Sequence, residues 1–298
     1  MPVNVRTSNS SRPSTASIFA GRLARLLSSN ALAVPGSFLV VLITNAIYLA
    51  TLFSDDVVED LSLEIGKAYW KERTIGAISR ILTSPFVHAT SLHIIVNQSA
   101  FFALSGPVEQ RRRSAASADN GAPPPGAFSH LWLVVVLGAL SNIIFLSSLF
   151  ILDALDIFLM EGEGLTMGLS GIVFALIVIH HNILVSRDAF LSPTAERRSI
   201  FGAFSVPVAL YPWAALLVVG VLFPDISFLV HFAGVIVGFL YTHSFLNPII
   251  ILPSGLLSKM DAVVGRLTGA SYAPLLPQPV TSRTGRDNVD PHDADLAR

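Results

Sequence analysis

The chain has 298 residues, of which 52% are hydrophobic and 13% charged, and its formal net charge is −1 at neutral pH. A soluble domain of this size rarely has so few charges, so the composition indicates an integral membrane protein. The near-zero net charge gives no indication of nucleic-acid binding, and the absence of cysteine excludes disulfides, thiolate metal sites and a cysteine nucleophile.

Residues 1–36 are rich in Ser, Asn and Arg and contain one short apolar patch, Ile18 to Leu27, interrupted by Arg22 and Arg25. We expect a cytosolic tail, in which the patch is equally compatible with an interfacial amphipathic helix and with partial disorder. The first long apolar run, Ser37 to Phe53, begins far from the N-terminus and ends without a small-residue cleavage site. A cleaved signal peptide is therefore not expected.

Five further apolar runs follow, each close to the roughly 20 residues that a helix needs to cross about 30 Å of hydrocarbon. They are Pro85 to Leu104, Leu131 to Leu152, Thr166 to Val185, Val206 to Phe223 and Ile226 to Leu246. Only Pro224 and Asp225 separate the last two runs, which predicts an antiparallel pair of neighbouring helices. The expected fold is an all-α bundle of six transmembrane helices.

This organisation predicts a membrane core over residues 37–248 and a cytosolic, largely disordered tail over residues 249–298, which is rich in Pro, Ser, Thr, Asp and Arg toward its end. Within the core, the segment from Glu109 to His130 contains the run Gly121-Ala-Pro-Pro-Pro-Gly126. We interpret this segment as a flexible cytosolic loop without a chemical role.

Positive charge is unevenly distributed between the two sides of the six-helix arrangement. Fifteen of the 19 Lys and Arg residues fall on the side of the termini, and the other four are Lys67, Lys71, Arg73 and Arg80. The loops on the side opposite the termini are acidic. Because Lys and Arg are retained on the cytosolic face, both termini are expected to be cytosolic.

Polar side chains inside the apolar runs are informative because each is unfavourable in lipid and must face the protein interior or a water-filled cavity. Four stand out: His93 and Asn97 in the second run, Ser170 in the fourth and His231 in the sixth. Ser170 should lie roughly 5 to 10 Å from the non-cytosolic side, judged by the helical rise per residue. His231 lies in a helix that enters from the same side, so the two side chains are expected at similar depth.

Small residues predict close contact between the two helices that carry Ser170 and His231. In the fourth run, Gly168, Gly171 and Ala175 have the spacing i, i+3 and i+7. In the sixth run, His231, Gly234 and Gly238 have the same spacing, so the histidine lies on the face of the two glycines. A serine hydroxyl attacks efficiently when a base removes its proton, and His231 is the candidate base. We expect Ser170 Oγ within about 4 Å of a His231 ring nitrogen, with no carboxylate completing a triad, beside a cavity open to the non-cytosolic face.

Attack on a carbonyl group creates an oxyanion, which needs preorganised hydrogen-bond donors. His93 and Asn97 are four residues apart and hence on one face of a helix, and both side chains can donate. The backbone amide of Ser170 at a helix N-terminus would be a third donor.

These residues form part of an ordered series of motifs. The series is Arg80-Ile-Leu-Thr-Ser-Pro-Phe-Val-His88, His93-x-x-x-Asn97, Gly106-x-x-Glu109, Gly168-x-Ser170-Gly171 and His231-x-x-Gly234-x-x-x-Gly238. Over about residues 37–247 it resembles the rhomboid intramembrane serine proteases.

The resemblance implies a Ser/His dyad without a catalytic acid, with Ser170 as nucleophile and His231 as base. It further implies that His93 and Asn97 bind the oxyanion with Gly168 in a supporting role, and that His88 supports the loop after the first span. No cofactor or metal is implied. The implied partners are transmembrane protein substrates and membrane lipid.

The chain departs from the family pattern at two places. The usual Trp-Arg pair of the first loop has no clean match, because Arg80 follows Ser79, and Phe174 stands where some relatives have Tyr. Neither change removes a reacting group. Six spans without a seventh resemble the compact eukaryotic type of Golgi or endoplasmic reticulum membranes.

Two other functions are known for multi-span membrane proteins of this size. A catalytically inactive, derlin-like protein of the same fold would bind membrane clients, but it would need neither Ser170 nor His231. A small transporter would show ionisable pairs or an inverted repeat, and the sequence has neither. The sequence also lacks an HExxH motif and paired aspartates within its spans, the signatures of other intramembrane proteases. His180 and His181, at the cytosolic end of the fourth span, are interpreted as interfacial residues without an assigned role. Glu109 is interpreted as a structural residue that caps or anchors the cytosolic end of the second span.

Overall fold

The structure is a computed structural model, and it describes residues 33–64, 75–118, 126–156, 165–184, 197–200, 202, 204–223 and 227–268. The predicted turn at Pro224 and Asp225 lies outside these ranges, as do the apolar patch near the N-terminus and the last 30 residues of the predicted C-terminal tail. The predictions for those segments stay predictions.

The described part of the chain is mainly helical. Its helices are α1 (Pro35–Thr51), α2 (Asp56–Leu61), α3 (Ile75–Thr83), α4 (Ser91–Ala118), α5 (Ala127–Ala154), α6 (Ser170–Leu184), α7 (Tyr211–Leu222), α8 (Phe228–Thr242), α9 (Asn247–Ile250) and α10 (Ser254–Thr268). Short 3₁₀ turns, Ser84–Phe86 and Val208–Leu210, follow α3 and precede α7.

Two short antiparallel ribbons complete the described elements. Strand β1 (Leu63–Glu64) pairs with β2 (Leu165–Thr166), with Leu63 opposite Thr166. Strand β3 (Arg197–Ile200) pairs with β4 (Phe204–Pro207). The first ribbon matters for the site, because it joins the segment after α2 to the segment that enters α6.

Helix α4 does not match the predicted second span. The apolar run begins at Pro85, but the helix begins at Ser91 and continues to Ala118. The prediction of a loop from Glu109 to His130 was therefore wrong over its first ten residues, and also over its last four, because α5 begins at Ala127. The first ten residues are mostly Glu, Gln, Arg and Ala, which favour helix in water as well as in lipid, so α4 extends beyond the apolar run.

Among the described helices, α5 is long and apolar enough by itself to cross a membrane. The apolar helices α1, α6, α7 and α8 have 17, 15, 12 and 15 residues, and a 15-residue helix is only about 23 Å long. The number of six spans thus stays a prediction. Shorter helices can still lie within the hydrocarbon where protein surrounds the non-helical backbone at their ends.

Helix α6 lies at the centre of the bundle, in contact with α4, α5 and α8. Its residues from Gly171 to Leu176 are buried on every side of the helix. Because α6 is apolar all round, it is suited to an interior position. Residues at its N-terminus are consequently held between several neighbouring helices.

A buried polar cluster joins three helices at the end of the bundle where α1 begins. The Glu109 carboxylate accepts hydrogen bonds of 2.8 Å from the backbone N–H groups of Gly36 and Ser37 and from the Ser37 hydroxyl. The Ser37 hydroxyl also contacts Ser105, and His130 Nε2 lies 2.7 Å from Ser105 Oγ. Glu109 therefore satisfies the free N–H groups at the start of α1, a structural role as expected.

Candidate active site

Ser170 is the first residue of α6, and a turn at Gly168 precedes it. Gly168 has φ = +106°, a conformation that favours glycine, and its N–H donates to the Ser84 carbonyl at 2.9 Å. A Cβ at Gly168 would lie 2.8 Å from His93 Nε2. The position thus requires glycine both for its backbone angle and for space.

His93 and Asn97 border the same glycine from α4. A Cβ atom at Gly168 would lie 2.8 Å from both His93 Cε1 and His93 Nε2, and 3.3 Å from Asn97 Nδ2. The two side chains therefore lie on one face of α4, toward the turn that precedes Ser170. The fold therefore brings two side-chain donors, His93 and Asn97, close to the free backbone N–H at the start of α6.

His88 lies behind His93. It is fully buried, and its ring makes an edge contact with the His93 ring at a centroid distance of 4.9 Å. The contact restricts the orientation of His93. The loop-supporting role that the resemblance implies for His88 stays a prediction.

Helices α6 and α8 approach each other closely along the predicted small residues. A Cβ at Gly234 would overlap the Gly171 carbonyl group, and one at Gly238 would lie 2.7 Å from the Ala175 carbonyl oxygen. Gly171 in turn faces Val230. The two backbones are thus in direct contact over about one and a half helical turns.

His231 lies on α8, at the α6 interface. Its side chain is 3% exposed, and its ring stacks on Phe174 with a centroid distance of 4.6 Å and an interplanar angle of 26°. Nε2 is buried without a hydrogen-bond partner, so Ser170 is not hydrogen-bonded to that nitrogen. The predicted approach of Ser170 Oγ to a His231 ring nitrogen within about 4 Å stays a prediction.

A small pocket opens beside the N-terminus of α6. Its free volume is about 10 Å³, roughly what one water molecule requires. Its lining is mixed, because the polar side chains of Ser84, Ser141 and Asn142 lie beside the apolar side chains of Pro85, Ile172 and Val230. A pocket of this size has room for about one water molecule, and it lies against Gly168 and Gly171, which flank the Leu169–Ser170 step into α6.

Two residues that position the site were not identified from the sequence alone. Arg80 on α3 is buried and donates to the backbone carbonyls of Glu59 and Ser62, the latter at 3.2 Å. Asn142 on α5 donates to the Ile81 carbonyl and to Ser84 Oγ, both at 2.9 Å. Arg80 begins the motif series given above, but the sequence did not indicate which groups its side chain binds.

The histidines at the far end of α6 are remote from this arrangement. His181 is buried, stacks on Tyr211 at a centroid distance of 4.3 Å, and its Nδ1 lies 2.6 Å from the Ile177 carbonyl oxygen. The stacking on Tyr211 joins α6 to α7, whereas the contact with Ile177 lies within α6. In the described part of the chain, no group of three His, Asp or Glu side chains converges as a set of metal ligands.

The part of the chain that contains the candidate site is similar to known proteins. The family model described as the Rhomboid domain matches residues 76–248, more than half of the 298 residues. Rhomboid-like protein 15 of Arabidopsis thaliana is 27% identical over 172 residues, which cover 57% of this chain and 37% of that protein. The chain therefore spans little more than a third of this relative's length. Residues 76–248, which the family model matches, contain Ser170, His231, His93 and Asn97.

Proposed function

We propose that this chain, which belongs to the rhomboid family of helical integral membrane proteins, is an active intramembrane serine endopeptidase. Its substrates would be membrane proteins, cleaved in or near their transmembrane segments. The observation that supports this most directly is the convergence of His93, Asn97 and the start of α6 at Gly168, next to the α6–α8 contact that holds His231.

In the proposed reaction, Ser170 Oγ attacks the substrate carbonyl carbon while His231 accepts the hydroxyl proton. The tetrahedral intermediate collapses, the peptide C–N bond breaks, and His231 returns the proton to the leaving amine. A water molecule then attacks the acyl-enzyme by the same route and releases the new carboxyl terminus. The stacked ring of Phe174 would keep the imidazole in one orientation through both steps.

The oxyanion would be stabilised by the side chains of His93 and Asn97 and by the Ser170 backbone N–H. All three donors come from rigid elements, namely α4 and the first turn of α6. Preorganised donors of this kind act on charge that develops in the transition state and need no reorganisation when it forms. The pocket beside Ser141 and Asn142 is a suitable place for the hydrolytic water.

We further propose a multi-pass protein of six spans with both termini in the cytosol, located in Golgi or endoplasmic reticulum membranes. The support is the distribution of Lys and Arg, 15 on one side and four on the other. In sealed microsomes, protease added outside should digest an epitope placed after Arg298. An epitope that resists digestion until detergent is added would contradict this topology.

The test of activity is covalent labelling of the purified protein with a fluorophosphonate probe, together with cleavage of a transmembrane substrate. Wild type should be labelled, and Ser170→Ala should lose both labelling and cleavage. Ser148→Ala is the matched control, because Ser148 also lies in a membrane helix but only donates to the Ile144 carbonyl of its own helix. Absence of labelling and cleavage in folded wild-type protein would favour the alternative, an inactive rhomboid-like protein that binds membrane clients.

A further inference from the structure

Helix α10 follows the membrane core and is docked onto it by a single acidic residue. Asp261 accepts hydrogen bonds from the backbone N–H groups of Gly126 at 3.2 Å and Phe128 at 2.8 Å. These groups belong to the free N-terminus of α5, where a carboxylate is favourable both as a cap and for the helix dipole. These bonds hold α10 against the N-terminal end of α5. The predicted tail of residues 249–298 did not include a docked helix.

The apolar sector of α10 is wider than the surface that contacts the protein. At 100° per residue, Leu257, Val264 and Met260 follow Asp261 around the helix, and these side chains are only partly exposed. Leu256 and Val263 come next around the helix and are 48% and 43% exposed. Two large apolar side chains thus extend the docked face outward and stay almost half exposed in the described part of the protein.

Basic side chains border that open edge. Lys259 and Arg266 follow Val263 around the helix, and both are exposed. Gly255, Ser258 and Ala262 occupy the remaining exposed side. An apolar sector flanked by Lys and Arg is typical of a helix that lies in the headgroup layer, where the long basic side chains reach the phosphates.

The segment between α8 and α10 has the same character. Phe245, Ile249 and Ile251 are 71%, 47% and 69% exposed, and the segment is tied to the core because Trp132 Nε1 donates to the Ile249 carbonyl at 3.1 Å. Exposed apolar side chains therefore continue from the end of α8 to the edge of α10. A membrane covers such a continuous surface at the perimeter of a bundle.

From this arrangement we propose that α10 lies in the headgroup layer of the membrane and binds anionic phospholipid through Lys259 and Arg266, with Leu256 and Val263 inserted beside them. The proposal depends on the chain being an integral membrane protein and not on protease activity. Anionic lipid is the fitting occupant because the two charges on the open edge are both positive, and each basic residue near an anionic surface strengthens binding about fivefold.

The cysteine-free sequence permits a direct test on the full-length protein. Val263→Cys and Ser258→Cys place a single thiol on the apolar edge and on the opposite polar side of α10. Each variant is labelled with an environment-sensitive fluorophore and reconstituted in phosphatidylcholine vesicles, with or without about 30% phosphatidylserine. Lipids with a shallow nitroxide quencher then report contact with the headgroup layer.

We expect strong quenching of the probe at 263 in phosphatidylserine vesicles and weak quenching at 258. Combining Val263→Cys with Lys259→Gln and Arg266→Gln should shift the equilibrium toward the detached helix by about fivefold for each charge removed. Equal quenching at both positions, or quenching at 263 that does not depend on phosphatidylserine or on the two basic residues, would overturn the proposal. A probe at 263 that is shielded from water yet unquenched by lipid would also overturn it and indicate a protein partner instead.

Discussion

The ring of Phe174 stacks on the imidazole of His231, with centroids 4.6 Å apart and the planes inclined by 26°. Phe174 lies one turn after Ser170 on α6, so the helix that carries the proposed nucleophile also supports the proposed base. The flat ring restricts rotation of His231, whose Nε2 makes no hydrogen bond. Packing against Phe174 therefore contributes to the orientation of the imidazole.

Replacement of Phe174 by leucine should lower the rate of substrate cleavage about 10- to 100-fold, because a small misplacement of a reacting group has effects of that size. Phe174→Tyr keeps the ring and should stay close to wild type. Cleavage rates are compared with thermal unfolding of each variant. A leucine variant with wild-type rate would show that stacking does not position His231.

His93→Ala and Asn97→Ala should each reduce turnover by about 10- to 1000-fold, as expected for loss of one oxyanion donor. The fluorophosphonate and cleavage assays check this on folded protein. Ile95→Ala is the control, since Ile95 lies on the same helix with 60% of its side chain exposed. Unchanged turnover in either variant would remove that side chain from the oxyanion site.

Gly234→Ala should destabilise the protein and abolish cleavage, because the added methyl group would overlap the Gly171 carbonyl group and force α8 away from α6. We expect a loss of at least about 2 kcal/mol, measured by unfolding in detergent. At Gly255 nothing lies within 4 Å of the added carbon, so Gly255→Ala should change stability by less than about 1 kcal/mol. Similar effects at the two positions would contradict a tight α6–α8 contact.

Glu109→Ala should destabilise the fold without touching the proposed reacting groups. It leaves the N–H groups of Gly36 and Ser37 buried and unpaired, at about 1 to 3 kcal/mol for each. Asp60→Asn, an exposed acidic position on α2, should leave the unfolding temperature unchanged. An unfolding temperature for Glu109→Ala equal to wild type would mean that water replaces the carboxylate at the start of α1.

Much of the candidate site could be predicted from the spacing of residues in the sequence. The i, i+4 pair His93 and Asn97 has to share a helix face, and the structure has both side chains against Gly168. The glycines around Ser170 and His231 indicated two backbones in contact, and Gly234 lies against Gly171. The contributions of Arg80 and Asn142 were not accessible, because both side chains bind backbone carbonyls whose positions depend on the folded loop.

The sequence by itself determined the membrane class, the family motifs and the faces on which the polar residues lie, because composition and helical periodicity are local properties. Tertiary structure decided where the helices end and what fills the space between them. Helix α4 continues to Ala118 past its apolar run, and α10 is held by the bonds of Asp261 to the N-terminus of α5. Hydropathy marks the hydrocarbon boundary, whereas helix ends and docked tails depend on hydrogen bonds to groups distant in the sequence.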